Sequence, residues 1–269
     1  MFKKIIKKLL GIKPRYGFFG FYPSWDEAKK YTTRHFGGQA GWNADNVLKQ
    51  VSQSLLKVKN GQAVYERDSV LFDKIQYSWP LLAILERVAM ERGGDLKVLD
   101  FGGSLGTTYF QNRDFLSGLK SLDWRIVEQE NYVEEGIKNF QNEELKFFSD
   151  FDHALQSSKP DILIVSSVIQ YLPRPFEMIE KFLAVGFDYI IFDRTSFIEL
   201  PDHKIAIQKV KPSIYDAVLP IWFFNYEKFM NQFSGKYNII GEYKAFIADR
   251  YEISGIPGGD RGFILKRKP

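Results

Sequence analysis

From Lys97 onward, short and almost unbroken apolar runs alternate with stretches of helical spacing: KVLDF, WRIVE, LKFF, DILIVSS and DYIIFD. A strand that is apolar on both faces has no side to show to water, so such runs belong in a sheet covered by helices above and below. Alternation of strand with helix makes those strands parallel, because each must be reached by a crossover. Two last runs, NIIGEYKAF and RGFILKR, are joined by a loop containing IPGGD and read as an antiparallel pair that closes the sheet. The expected fold is therefore α/β: a doubly wound, mostly parallel seven-stranded sheet.

The residues before this pattern read differently. In MFKKIIKKLLGIK, Phe2, Ile5, Ile6, Leu9 and Leu10 recur at helical spacing opposite Lys3, Lys4, Lys7 and Lys8. Residues 1–14 are thus expected to form a basic amphipathic helix, which can lie on an anionic membrane surface through residues 1–13 or dock on the protein itself. The lysines interrupt what a signal peptide would need as a continuous apolar core, so the expected location is the cytoplasm, with the inner membrane face as the surface such a helix would meet. Ser24 is placed to cap a helix starting near Trp25, with Glu27 as its capping-box partner. An amphipathic helix follows, carrying Val47, Leu48, Val51, Leu55 and Leu56 on one face, and a third helix is expected over 69–92, kinked or split at Pro80. Residues 15–94 then make a helical cap on a main domain at 95–269.

Composition removes several function classes. The 269 residues contain no cysteine, which excludes disulfides, thiolate metal sites and a thiol nucleophile; no metal ion is expected. A net charge of +4, much of it at the chain ends, is no nucleic-acid footprint.

DFGGSLGTTYF, residues 100–110, follows the first strand of the alternating pattern. Here a ligand must approach the backbone, which is why Gly102, Gly103 and Gly106 stand without side chains. The Gly-Lys-Ser/Thr ending of a phosphate-cradling loop is absent, and Ser104 stands where a dinucleotide fingerprint expects a glycine. Asp100 closes the strand; an acid there is awkward beside a diphosphate and useful beside an ammonium group, which the methionine part of S-adenosyl-L-methionine carries. Glu128 in WRIVEQ, about 22 residues past Gly106, ends the second strand, where an acid can bind both ribose hydroxyls.

SSVIQYLPRPFEMIEK (166–181), taken with VLDFGGSLGTTYFQNRDFL, YERDSVLFDKIQYSWP, DYIIFDRTSF and PSIYDAVLPIWFF, resembles the class I S-adenosylmethionine-dependent methyltransferases. Within them, the chain looks like predicted methyltransferases often encoded in bacterial surface-polysaccharide gene clusters. The resemblance implies a Rossmann-like methyltransferase fold with S-adenosyl-L-methionine as cofactor. It implies that Asp100, Gly102, Gly103, Ser104 and Gly106 form the methionine side of the site, and that Glu128 holds the ribose with Gln129 beside it. Ser149 and Asp150 would meet the adenine amino group, and Ser166 and Gln170 would line the floor near the sulfonium. The implied reaction is O-methylation of a saccharide or nucleotide-activated sugar, a small-molecule or glycan acceptor.

An acceptor hydroxyl needs a base. Of the three histidines, His203, beside Asp202 in a long insertion over 194–222, is the expected one, because loops of that length in this position roof the acceptor site. Tyr215 and Trp222, with Phe223, offer an aromatic wall for a sugar ring. Tyr65, Glu66, Arg67 and Asp68 form a dense polar cluster, of which Tyr65 and Arg67 are expected to line the acceptor side. Two rival readings are an NAD-dependent oxidoreductase and a catalytically silent S-adenosylmethionine-binding scaffold. Nucleic-acid methylation ranks below them, since SSVIQYLP lacks the Asn/Asp-Pro-Pro-aromatic pattern used on flipped bases.

Overall fold

The structure, a computed structural model, describes residues 16–36, 45–211, 213–214 and 217–269. The amphipathic helix expected over 1–14 and the wall residue Tyr215 lie outside the described residues. In chain order come β1 (Gly17–Tyr22), α1 (Trp25–Phe36), α2 (Asp45–Lys59), a hairpin of β2 (Tyr65–Arg67) and β3 (Val70–Phe72), and α3 (Trp79–Glu91). The alternating part is β4 (Asp95–Phe101), α4 (Thr107–Leu116), β5 (Ser121–Val127), α5 (Glu130–Asn139), β6 (Leu145–Phe148), α6 (Phe151–Leu155), β7 (Ile162–Ser166), α7 (Pro175–Val185) and β8 (Tyr189–Ile198). It ends with β9 (Lys204–Lys209), β10 (Val218–Phe223), α8 (Tyr226–Asn231), β11 (Tyr237–Lys244), β12 (Tyr251–Ile253) and β13 (Ile256–Arg267).

The main sheet runs β11-β13-β8-β7-β4-β5-β6, with the short β12 paired to β13. The five strands from β8 to β6 are parallel, and β13 and β11 close the edge by antiparallel pairing. Period-two alternation explains the unbroken apolar runs. Ile162 and Ile164 of β7 enter one core with α2 and α3, while Leu163 and Val165 enter the opposite core with α7 and α8. All four are fully buried, as a central strand requires. The IPGGD segment is the start of β13 rather than a loop, paired with β8 from Gly258 onward.

Residues 15–94 are less a helical cap than a set of parts joined to the rest. Val51 and Leu55 of α2 and Leu81, Leu85 and Val88 of α3 share one apolar cluster with Val98 and Ile126, so both helices cover a face of the main sheet. The helix expected over 69–92 begins only at Trp79, with Pro80 in its first turn, where the missing N–H costs nothing. The residues before it make the β2–β3 hairpin instead. Ser24 Oγ does accept the Glu27 amide at 3.2 Å, capping α1 as its sequence predicts.

The insertion over 194–222 is not a long loop. It continues β8 and then forms β9 and β10, which join β1 in a second, three-stranded antiparallel sheet. α1 lies on that sheet, with Ala28 packed among Ile205, Ile207 and Val218. Among the described residues, no helix is long and apolar enough to cross a membrane.

Candidate active site

Strand order reverses between β4 and β7, where neighbouring crossovers leave in opposite directions and open a crevice beyond the carboxyl ends of the strands. A cavity of about 780 Å³ occupies this place. One set of walls comes from the strand ends: Asp100–Ser104 at the end of β4, Glu128 and Gln129 after β5, Ser149 and Asp150 after β6, and Ser166–Val168 at the end of β7. The facing set comes from elsewhere in the chain: Trp25, Thr32 and Thr33 of α1, Tyr65–Asp68 of the hairpin, Arg194 of β8, Pro220 of β10 and Phe246.

The glycine turn is shaped by its contacts. Gly102 has a φ of +73°, and a Cβ there would stand 2.3 Å from Val168 Cγ2. A Cβ on Gly103 would stand 2.6 Å from Asp100 Cγ, so the carboxyl group of Asp100 lies tucked under the turn. Ser104 takes a left-handed φ of +53°, the backbone shape that a glycine would supply without strain. Asp68, Ser167 and Arg194 also line the cavity with φ between 51° and 53°. Non-glycine residues persist in this region only where surrounding structure holds them, and such strain gathers at functional sites.

Buried carboxyl groups dominate the electrostatics. Asp100 is 1% exposed; burial pushes its pKa up to about 7, against the pull of Trp124 Nε1, which donates to it at 3.3 Å. Glu66 is raised to about 7, also by burial, although Thr107 Oγ1 donates to its Oε2 at 2.8 Å and the Ser69 amide to its Oε1 at 2.7 Å. Burial likewise raises Glu128, which accepts the Gln129 amide at 2.8 Å and is approached by the Ser104 amide. Asp193 is raised for the same reason beside Tyr243, whose hydroxyl donates to it at 3.1 Å. The cation set among these groups is Arg194, 18% exposed, which meets the Asp68 carboxylate at 3.9 Å. The cavity therefore holds more buried acid than buried base, and a cationic ligand would relieve that imbalance.

The structure brings together Asp100, Gly102, Gly103, Ser104, Glu128, Gln129, Ser149, Asp150 and Ser166 with Tyr65 and Arg67, all as cavity lining. Five other sequence-predicted residues stand off it. Gly106 is buried at the start of α4, where its φ of +101° turns the chain into the helix. Gln170 points away, donating to the Arg194 carbonyl at 2.9 Å and so steadying that left-handed residue. Trp222 stacks on the back of Trp25, which does line the cavity, and donates to the Leu172 carbonyl at 3.1 Å.

His203 and Asp202 are the larger correction. His203 Nδ1 accepts the Asn225 amide at 2.9 Å while its ring packs on Phe176 and Phe224, a structural task at the entry to α8. Burial, then Lys228, holds the imidazole below its usual pKa. Asp202 is exposed and paired to Lys228. Neither lines the cavity, because β9 and β10 carry the segment away from it.

Sequence reasoning missed Thr107, Asp193 and Arg194 as lining. The last two had a signal: a charged Asp-Arg pair inside the otherwise apolar run YIIFDRTSF is costly in a central strand unless it faces a cavity.

No protein-family model matches the chain, and no curated protein sequence does. Among solved structures the chain is similar to the N-terminal domain of EvdMO1, crystallised in the presence of S-adenosylhomocysteine and D-fucose. That likeness has a TM-score of 0.47 at 8% identity and covers 82% of this chain and 97% of that one. It is also similar to 1,6-didemethyltoxoflavin-N1-methyltransferase from Burkholderia thailandensis, with a TM-score of 0.45 at 10% identity, over 86% of this chain and 92% of that one. Magnesium protoporphyrin IX methyltransferase from Synechocystis PCC 6803 is similar with a TM-score of 0.45 at 13% identity, over 89% and 95%. No role of a residue in this chain follows from likenesses this distant.

Proposed function

We propose that the protein is an S-adenosyl-L-methionine-dependent methyltransferase that O-methylates a saccharide or nucleotide-activated sugar, with surface-polysaccharide biosynthesis as its setting. The observation that carries this is the position of Asp100. Its carboxyl group lies tucked under the glycine turn, where a dinucleotide would put its diphosphate, and a carboxylate and a diphosphate brought together in a buried site repel. The same carboxyl group suits an ammonium ion.

The residues fit the cofactor. Asp100 faces the turn that would receive the methionine end, Gly102 and Gly103 let Val168 and Asp100 close against that turn, and Glu128 at the end of β5 is placed for ribose hydroxyls. Ser149 and the Asp150 oxygen not used to cap α6 are available to the adenine amino group. When bound, S-adenosyl-L-methionine supplies a methyl group already activated on a sulfonium. The protein's own task is then to hold an acceptor in line, keep water out and take up a proton. Walls that mix the hydroxyls of Thr32 and Thr33 with carboxylates and aromatic faces, as Trp25, Tyr65 and Asp68 do, support a polyhydroxylated acceptor.

The test is ligand-induced stabilisation. S-adenosylhomocysteine at 100 times its Kd should stabilise the protein by about 2.7 kcal/mol and NAD should not shift it. Asp100→Asn should weaken that binding by about tenfold or more, roughly 1.4 kcal/mol. A shift with NAD alone would turn the assignment to an oxidoreductase. Stabilisation by S-adenosylhomocysteine with no methyl transfer across a panel of sugar nucleotides would favour a silent scaffold.

A further inference from the structure

We propose that Glu66 and Thr107 form the proton-accepting pair for the acceptor hydroxyl, with Thr107 Oγ1 as the atom that meets it. The inference rests on the methyltransferase assignment and replaces the histidine that the fold carries away.

The other carboxylates on the cavity are already engaged. Asp100 is tucked under the glycine turn, Glu128 holds the Gln129 amide, Asp150 caps α6, and Asp193 accepts from Tyr243. Asp68 is exposed at the hairpin tip. Glu66 is different: it is 1% exposed, no cation contacts it among the described residues, and its Oε2 takes a 2.8 Å hydrogen bond from a hydroxyl that itself lines the cavity, whereas the comparable contact of Ser166 Oγ with Asp193 Oδ2 is 3.5 Å long. Thr107 is the first residue of α4, directly after the glycine turn, so the pair spans the seam between the cofactor walls and the hairpin.

The hairpin is built to present this carboxylate. Arg67 pairs with Val70 across a two-residue turn, and both turn residues, Asp68 and Ser69, have positive φ, at 51° and 64°. Such a turn favours Asn-Gly; the residues here instead aim the Ser69 amide at Glu66 Oε1 at 2.7 Å. Ser54 Oγ fixes the Ser69 carbonyl at 2.8 Å from α2, and Ser69 Oγ reaches the Ile214 carbonyl at 3.3 Å. Besides those donors, the charged groups acting on Glu66 are Asp68, which raises its pKa, and Arg194 from β8, which lowers it. Burial outweighs both, leaving a carboxyl group of pKa about 7, the range in which a general base serves near neutral pH.

A threonine hydroxyl donates one hydrogen bond and accepts others, so the pair can pass a proton without moving a heavy atom. The acceptor oxygen forms its bond to the methyl carbon as the carbon–sulfur bond breaks, and that bond's electron pair stays on sulfur. The hydroxyl proton goes to Thr107 Oγ1 as the Thr107 proton goes to Glu66 Oε2. Solvent takes it from there after the product leaves.

The test compares two ligands by titration calorimetry between pH 6 and 8.5: S-adenosylhomocysteine, and sinefungin, which bears an amine where the methyl is carried. Both have the same α-ammonium, so Asp100 answers to each alike and the difference isolates the reacting centre. In the wild type, the preference for sinefungin should grow about tenfold with pH through 7, the linkage expected of one pKa unit. Glu66→Gln and Thr107→Val should each remove the pH-dependent part of the preference, and Thr107→Ser should restore it. Binding of S-adenosylhomocysteine should stay within about threefold in all three variants; if Glu66→Gln fails to fold, the two threonine variants carry the test. If S-adenosylhomocysteine binds but the sinefungin preference is indifferent to these substitutions, the pair is overturned while the methyltransferase assignment stands. If neither ligand binds, the assignment itself falls.

Discussion

The two sets of cavity walls differ in how they are made. The strand-end walls are short contiguous segments, each at the end of one parallel strand, and the longest of them, residues 100–104, runs from the last two residues of β4 into the glycine turn. The facing walls are gathered from α1, the hairpin, β8, β10 and Phe246, pieces that meet only because β1 pairs with β9 and the hairpin lies over α4. Local turn geometry builds the first set; long-range packing builds the second. Substitutions should therefore act differently on them, and three experiments sharpen or break that contrast.

The largest effect is expected on the gathered side. Arg194, half-buried, is the cation among Asp68, Asp193 and Asp260, held with a left-handed φ of +51°. Arg194→Met leaves those acids without their shared partner and should cost about 3 kcal/mol, a melting temperature lower by roughly 6–12 °C. A loss below about 1 kcal/mol would mean that the acids are relieved by solvent and that this wall does not depend on tertiary ion pairing.

On the contiguous side, the effect should appear in the pH dependence. Asp100 has a pKa of about 7 in the fold, above the roughly 3.9 of an unfolded chain. Its protonated form is thus favoured by folding: that contribution is fully present below pH 4 and is lost as pH rises toward 7. Stability of the ligand-free protein should fall between pH 5 and 8 by about 2.5 kcal/mol from Asp100, Glu66 adding a comparable fall in the same sense. Asp100→Asn should flatten the fall, read by denaturant unfolding at pH 5, 6.5 and 8. An unchanged slope would show that this carboxyl group is ionised and solvated at the turn.

The smallest effects are expected off the cavity. His203→Ala removes the acceptor for the Asn225 amide and two ring contacts, and should cost about 1 kcal/mol without changing S-adenosylhomocysteine affinity. Asp202→Asn breaks only an exposed pair with Lys228 and should stay within roughly 0.5 kcal/mol. A tenfold loss of cofactor affinity in either variant would put this segment back at the site.

How far the sequence was legible follows the same division. Asp100, the glycines and Glu128 could be read because a strand, a tight turn and a helix are consecutive in the chain, and the turn's chemistry is written in adjacent residues. Ser24 and Glu27 could be read as a cap for the same reason. His203 misled because a residue's place in an apparent loop says nothing about the direction it faces; β9 and β10 turned that segment into sheet. The helix expected from Ser69 is a hairpin instead, because the deciding contacts come from Ser54, Thr107 and Ile214, far away in the sequence.

By itself, then, the sequence determined the doubly wound sheet and the glycine turn with its acids, because burial on two faces and backbone freedom at a turn leave a periodic and local record. Tertiary structure alone decided that Glu66 meets Thr107, that Arg194 stands among three acids, and that β1 joins β9. Those contacts join residues far apart in the chain, and their energies come from desolvation and pairing that no short window of residues contains.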